Sequence, residues 1–337
     1  MEISEKYPEL FHYTSESGLR GIIETQTIRA THYSCLNDSQ EMLCFEKTLN
    51  RYCSKVVTKI VNETPKIKAI LSIRHPAGDG AEIITKLSAE MLRMAFLEER
   101  SEEPYIASFC SAKDEYEKDN GLLSQWKGYG SGGGYALVFN TKELEELVQQ
   151  ERKMFLGAVE DSSVLEMRQV VYSDEEAYKE FPEDIEVLKE FVCWMTENWF
   201  KKPDQESSFD KADIENMYYK YLPSFRRCMP RCKHQGFKEE KEIRIVATIF
   251  NEKYYKDTPY TRNEIKSYID PISNKEKRYI ELFSDPNHLK RIKTSNILPI
   301  EKVIVGPSID KEKRAERIKE FLTETEIEVT VSETPFV

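Results

Sequence analysis

A mixed α+β fold is what this sequence predicts, and three observations predict it. Short aromatic and β-branched runs bounded by turn residues recur along the chain. Two long stretches carry apolar residues at helical spacing. No repeat or low-complexity linker separates these segments, and 337 residues suit one large domain. We therefore read 1–337 as a single α+β domain of catalytic type, with helical insertions at about 45–100 and 174–230.

The elements follow in order. Leu10-Phe11-His12-Tyr13-Thr14 reads as a strand, and Ser15 or Ser17 caps the helix through Gly18-Leu19 and Ile22-Ile23. Thr27–Thr31 reads as a second strand, Leu36-Asn37-Asp38 as a turn, and Gln40 onward as helix. Helical spacing then runs from about Phe45 to Arg100, broken at His75–Gly80. Tyr105–Cys110 is a strand, Lys113–Asn120 a charged loop, Leu122–Trp126 a short helix and Ser131–Gly134 a flexible turn. Tyr135–Phe139 reads as a strand, Lys142–Gln150 as a helix and Met167–Tyr172 as a strand. Asp174–Pro230 is helical, with Val187, Leu188, Phe191 and Met195 at helical spacing. Strands follow at Glu242–Phe250, Tyr279–Phe283, Ile300–Val305 and Ile327–Val331. Gly306-Pro307 closes one of them, and Asp310–Glu324 reads as an amphipathic helix.

Hydrophobic residues make up 39% and charged residues 32%, a globular composition on the polar side. No apolar run approaches the ~20 residues of a membrane helix. Met1–Glu9 is acidic and polar, without a basic n-region and apolar core, so we expect no secretory leader and a cytoplasmic location. A net charge of −11 repels nucleic acid and anionic lipid at long range. It leaves room for a local basic patch, for which Phe225-Arg226-Arg227, Arg231 and Lys233 are the candidates. Seven scattered cysteines suit reduced thiols. Cys228, Cys232 and His234 have the spacing C-x-x-x-C-x-H with no second pair nearby, so they read as two thiols and an imidazole at a helix end, and no metal is expected.

Three segments could carry chemistry. In the first, alternation puts His12 and Thr14 on one strand face and Phe11 and Tyr13 on the other. A polar pair on an otherwise apolar strand needs partners or a cleft, and a satisfied structural histidine is the simpler reading. In the second, Ser124-Gln125-Trp126-Lys127-Gly128-Tyr129 leads into Gly130-Ser131-Gly132-Gly133-Gly134. It lacks the Gly-Lys-Ser/Thr ending of a phosphate loop, and a strand follows its glycines where a dinucleotide fingerprint needs a helix. On pattern alone it is a hairpin turn. In the third, alternation from Glu240 puts Glu240, Glu242, Arg244 and Val246 on one face and Ile243 and Ile245 on the other. Neighbouring like charge raises a carboxylate pKa and Arg244 lowers it. The simpler reading is a charged edge strand that discourages aggregation.

Taken in order, the segments resemble a bacterial domain-of-unknown-function family numbered two-nine-seven-one. The resemblance rests on Phe11-His12-Tyr13-Thr14, Gly18-Leu19, Ile22-Ile23, Ile28–Thr31, Leu36-Asn37-Asp38 and Glu41. Ser108-Phe109-Cys110-Ser111, Gln125-Trp126 with Tyr129 and Gly134, Glu240–Arg244 and Val305-Gly306-Pro307 extend it over most of the chain outside the insertions. The opening is similar to the first motif of ADP-ribosyltransferases. That resemblance implies an ADP-ribosyltransferase-like mixed sheet and NAD⁺ as substrate, with His12 at the adenosine ribose. It makes Glu242 the catalytic residue at the nicotinamide ribose and Glu240 the acceptor-side helper. Ser108 stands at the middle motif, with Tyr33 and Tyr129 as aromatic alternatives for stacking on nicotinamide. Tyr13, Thr14, Trp126 and Arg244 complete the expected NAD⁺-binding set.

The chemistry asks for these residue types. Loss of nicotinamide leaves an oxocarbenium-like ribose, which a nearby carboxylate stabilises. An aromatic face suits the cationic nicotinamide ring. The expected activity is an ADP-ribosyltransferase or NAD⁺ glycohydrolase, set by the family resemblance in a toxin or phage-defence role. Its acceptor would be protein or nucleic acid, with an antitoxin or regulatory partner and no membrane. The alternatives are a catalytically silent ligand-sensing or scaffold protein of the same fold, and an RNA 2′-phosphotransferase-like enzyme, which needs basic residues around its pocket. Cys110 on an apolar strand reads as a core hydrophobe rather than a nucleophile.

Overall fold

The computed structural model describes residues 2–36, 41–74, 77, 79–98, 102–129, 134–156, 165–199, 220–250, 265–270, 274–284 and 298–335. The chain forms two compact units. The first comprises Met1–Leu36, Glu103–Val170 and Gly236–Val337; the second comprises Asn37–Glu102 and Val171–Gln235. The two helical insertions, far apart in sequence, thus form one unit.

The first unit is built on ten strands: β1 (Glu9–Thr14), β2 (Ile28–His32), β3 (Glu102–Cys110), β4 (Tyr135–Asn140), β5 (Leu165–Gln169), β6 (Glu242–Phe250), β7 (Lys266–Ile269), β8 (Glu276–Leu282), β9 (Ile300–Val305) and β10 (Glu328–Val331). Their order is β10-β9-β4-β1-β3-β2-β8-β7, and β6 pairs with β3 and with β5. The sheet is mixed: β10 runs parallel to β9, whereas β1–β4 and β4–β9 are antiparallel. β3 is the hub, because β1, β2 and β6 all pair with it.

Alternation sorts apolar residues onto two faces. Leu10, Ile28, Ala30, Tyr105, Ala107, Phe109, Leu137, Ile243 and Ile245 share the larger core, under Leu144, Leu147 and Val148 of the helix Thr141–Leu156 and Ala315 and Ile318 of the helix Lys311–Phe321. Phe11, Tyr13, Cys110, Leu122, Trp126, Ala136, Val138 and Ile304 form the core of the other face. The helix Glu16–Thr25 starts as its sequence predicts, with Ser15 Oγ accepting from the Gly18 N–H. A Cβ on Gly18 would stand 2.0 Å from Thr14 Oγ1, so a side chain there would require the Thr14 hydroxyl to move.

Some expectations are corrected. The charged loop at Lys113–Asn120 contains a helix, Glu115–Asn120, because Asp114 caps it by accepting from the Glu117 N–H. The strand expected at Met167–Tyr172 ends at Gln169, and Val171 makes only an isolated parallel bridge to Cys232. The strand β7 was not expected at all. The turns at Asn37-Asp38 and Ser131–Gly133 lie outside the described residues.

The second unit is helical, with helices Glu41–Glu63, Pro65–Arg74, Gly80–Glu98, Asp174–Glu180, Pro182–Trp199 and Leu222–Cys228. The part of the expected 174–230 helix that falls at 200–219 is outside the described residues. Asp174 ties the two segments together: it accepts from Thr48 Oγ1 at 2.8 Å and pairs with Arg51 at 3.0 Å. Phe45 and Phe225 meet with ring centroids 5.5 Å apart. Among the described residues, no helix is long and apolar enough to cross a membrane.

Candidate functional site

The sequence singled out residues on β1, β3 and β6, and the sheet makes these strands neighbours. β1 pairs with β3 at Phe11–Cys110. The Ser111 N–H donates to the Lys241 carbonyl at 3.3 Å, which sets the start of β6 beside the end of β3. His12, Ser108 and Glu242 therefore belong to three adjoining strands.

His12 is half-buried, and its Nδ1 lies 3.0 Å from the Ser108 carbonyl oxygen. A carbonyl only accepts, so Nδ1 carries the proton and Nε2 is left as an acceptor. Nε2 has no hydrogen-bond partner among the described residues. Burial holds the imidazole below its ordinary range, and the Ser108 carbonyl only partly opposes that effect. The ring leans on Phe109, with centroids 5.5 Å apart.

Glu242 and Arg244 form the electrostatic centre of β6. Arg244 donates from Nε to Oε1 at 2.8 Å and from Nη2 to Oε2 at 3.0 Å. Both residues are almost wholly removed from solvent, at 3% and 1% exposure. A two-point guanidinium–carboxylate contact of this kind fixes the carboxylate in place. The i, i+2 spacing that makes it possible follows from strand alternation, which the sequence showed. Arg168 of β5 stands directly opposite Arg244 and pairs with Glu166 at 3.3 Å.

Glu240 is a correction. The strand starts only at Glu242; Glu240 closes a 3₁₀ turn, Gln235–Glu240, and Lys241 has a left-handed φ of 43°. That reversal ends the alternation, so Glu240 does not extend the row of Glu242 and Arg244.

Alternation also separates two expected partners. His12 follows Leu10, which belongs to the larger core together with Phe109. Glu242 points opposite to Ile243 and Ile245, which lie in that same core. The His12 and Glu242 side chains thus leave neighbouring strands on opposite faces.

Several expected ligand residues are structural. Tyr13 is buried; its hydroxyl accepts from the Leu122 N–H at 2.7 Å, and burial pushes its phenol pKa up. Trp126 is buried edge-on to Tyr13 at 4.8 Å and donates from Nε1 to the Asn120 carbonyl at 2.8 Å. Both rings have their polar ends engaged inside an apolar cluster, which explains their identity without a ligand. Thr14 is half-buried at the end of β1, against Gly18. The backbone of Tyr129 ends the helix Leu123–Tyr129. Cys110 is buried in the Trp126 cluster.

Tyr33 sits in a second group, which sequence reasoning missed. Its ring is 4.4 Å from buried His32, and His32 meets Tyr105 at 5.2 Å. Arg278 Nη2 lies 3.1 and 3.3 Å from the two ring nitrogens of His32. His32 pairs with Tyr105 on β3, four positions from Phe109, or about 13 Å along the strand at ~3.3 Å per residue. Only the pairing of β2 with β8 brings Arg278 to His32, and no local pattern announces that pairing.

In the helical unit the expected surface basic patch is absent. Arg226, Arg231 and Lys233 are buried, and Arg227 donates from Nε to Asp184 at 2.9 Å. Cys228 and Cys232 are buried while His234 is exposed. No group of three or more His, Cys, Asp or Glu side chains among the described residues could hold a metal ion.

Fold and site together define a mixed α+β protein whose central strands carry a fixed imidazole and a buried carboxylate–guanidinium pair. Residues 125–245 match the family described as "Protein of unknown function (DUF2971)". The match takes in Gln125, Trp126, Glu242 and Arg244 of the expected segments together with the helical stretch 174–230, and it does not extend to the Phe11–Glu41 opening or to Val305-Gly306-Pro307. No curated protein and no solved structure matches the chain.

Proposed function

We propose that the protein cleaves NAD⁺ as an ADP-ribosyltransferase-type enzyme, with an ADP-ribosyltransferase-like core formed by β1, β3 and β6. The observation that carries this reading is the adjacency of the three motif strands, which brings His12, Ser108 and Glu242 to one end of β3. His12, with Nδ1 committed to Ser108, offers Nε2 to a ribose hydroxyl. Glu242 supplies a fixed negative charge where the ribose becomes cationic. The C1′–N bond breaks, nicotinamide leaves with the bonding pair, and an acceptor nucleophile or water attacks C1′ and gives up a proton. Because His12 and Glu242 leave the sheet on opposite faces, the dinucleotide would lie across the Cys110 end of β3.

The test is nicotinamide release from NAD⁺ by the purified protein, with and without cell lysate as a source of acceptor. Wild type should release nicotinamide, and Glu242→Gln should lower the rate about 10²-fold or more. One observation favours a second reading, a non-catalytic protein of the same fold. Both Glu242 oxygens are engaged by Arg244. That reading prevails if wild type neither releases nicotinamide in either mixture nor binds NAD⁺ by calorimetry.

A further inference from the structure

β7 is an open edge of the sheet: among the described residues it pairs with β8 on one side and with no strand on the other. Free N–H and C=O groups on an edge invite another strand, so edges are normally blunted by charge or covered. The far edge, β10, follows that rule, with Glu328 at its start and Val329–Val331 half-buried. β7 does not. Tyr268 and Ile269 are 41% and 60% exposed, and Ile265 just before the strand is 47% exposed. Nine large hydrophobic residues are exposed among the described ones, and three of them fall within these five positions. Single exposed residues are ordinary, whereas three together point to an interaction site.

The backbone sets which groups point outward. The Asp270 N–H donates to the Lys275 carbonyl at 2.9 Å, and the antiparallel register continues through Tyr268–Lys277 and Lys266–Tyr279. Antiparallel bonds alternate, so Lys266, Tyr268 and Asp270 turn their N–H and C=O groups toward β8, and Ile265, Ser267 and Ile269 turn theirs outward. An incoming antiparallel strand must set outward residues opposite outward residues. A second copy of this segment meets that rule in a register centred on Tyr268. Ser267 then bonds with Ile269 of the second copy, the two Tyr268 residues face each other, and Lys266 stands opposite Asp270 at both ends.

We propose that the outer edge of β7 pairs antiparallel with β7 of a second copy of this chain, about a two-fold axis at Tyr268. The occupant is a second copy because the segment is its own complement: a cation four positions before an acid, with an aromatic residue midway. Lys266 already donates to Glu281 at 2.8 Å, and Lys277 pairs with Asp270 at 3.1 Å. The pairing needs neither charge to be free, since it joins the two ion pairs into one row of alternating sign. Tyr268 already meets Tyr279 edge-on at 5.8 Å, so the axis extends that contact into a row of four rings. On the other face, Ile269 lies diagonal to Ile265 of the second copy, within reach of its side chain.

The experiment is sedimentation of the full chain across a concentration series. Wild type should pass from monomer to dimer as its concentration rises. Ser267→Pro removes an outward N–H and leaves the β7–β8 bonds in place. It should weaken dimerisation at least tenfold, with the melting temperature of the dilute protein unchanged. Tyr268→Cys reads the register, because facing residues at such a position stand close enough for a disulfide. With oxidised glutathione the two thiols should join, releasing two molecules of reduced glutathione, and a non-reducing gel should show more covalent dimer than wild type gives. Should Ser267→Pro melt lower, Ile269→Lys serves instead, with the same loss expected. A wild type that stays monomeric throughout leaves the edge to a different partner or to none and overturns the proposal. So does a dimer that the edge substitutions leave intact, or a Tyr268→Cys protein that cross-links no more than wild type.

Discussion

Arg244 and Arg231 are both buried arginines, one in each unit, and they are treated differently. Arg244 meets Glu242 through two hydrogen bonds, so the sheet unit neutralises its own charge. Among the described residues, the Arg231 guanidinium stacks over the Phe181 ring, and its buried Nε has no hydrogen-bond partner. The difference teaches what each is for. A buried ion pair is weak evidence for stability, because desolvation offsets most of its attraction, but it fixes geometry. A cation over a ring face is held by its attraction to the ring, with no fixed direction for its N–H groups. The same sequence feature, an arginine among apolar neighbours, thus fixes a carboxylate in one unit and packs against an aromatic ring in the other.

The sharpest way to break this comparison is to remove each arginine. Arg244→Met removes two hydrogen bonds and the facing charge from the buried Glu242 carboxylate, and should destabilise the protein by about 3–5 kcal/mol in urea melts. Arg244→Met combined with Glu242→Gln should recover a large part of that loss, since no charge remains buried. A small effect of the single substitution, with Arg231→Met strongly destabilising, would reverse the roles assigned here.

The next largest effect concerns the frame around the motif strands. Gly121 has φ 73° and ψ 173°, a conformation essentially reserved to glycine. A Cβ there would also stand 2.5 Å from the Trp126 ring. Gly121→Ala adds backbone strain to overpacking and should cost about 2–4 kcal/mol. Tyr13→Phe is milder. It leaves the Leu122 N–H buried without its acceptor and should cost about 1–3 kcal/mol. Thermal melts check both, and a Tyr13→Phe protein as stable as wild type would mean that water replaces the hydroxyl and that Tyr13 is free for another role.

Legibility divides along a physical line. β1 and β6 show in the sequence because alternation is local: the opposite placement of Glu242 and Ile243 was readable from two residues. The Ser15 cap was readable for the same reason. Glu240 was misplaced because the left-handed turn at Lys241 has no signature in a lysine. The burial of Trp126 depends on the nearby helix end Asn120-Gly121 and on Ile304 of distant β9. The bond from Ser111 to Lys241 spans 130 positions, and that from Arg278 to His32 spans 246. No local pattern encodes such pairings. The helical unit is the extreme case, since each insertion looked like a separate addition and only the tertiary contacts join them.

The smallest expected effect tests His12. Burial holds its folded pKa below the ordinary 6.5. The unfolded chain therefore binds a proton more readily than the folded one, and acid favours unfolding. The stability contributed by the neutral ring is complete above about pH 6.5 and is lost as pH falls through the folded pKa. Replacing the imidazole by a group that does not titrate, as in His12→Asn, should flatten the dependence of melting temperature on pH below 6.5 and leave its slope unchanged above. Asparagine can still donate to Ser108, so the contact survives while the titration disappears. An unchanged acid slope would mean that His12 protonates in place with its charge solvated. The ring would then reach water far more than its seat against Phe109 implies, and Nε2 would enter catalysis as a donor.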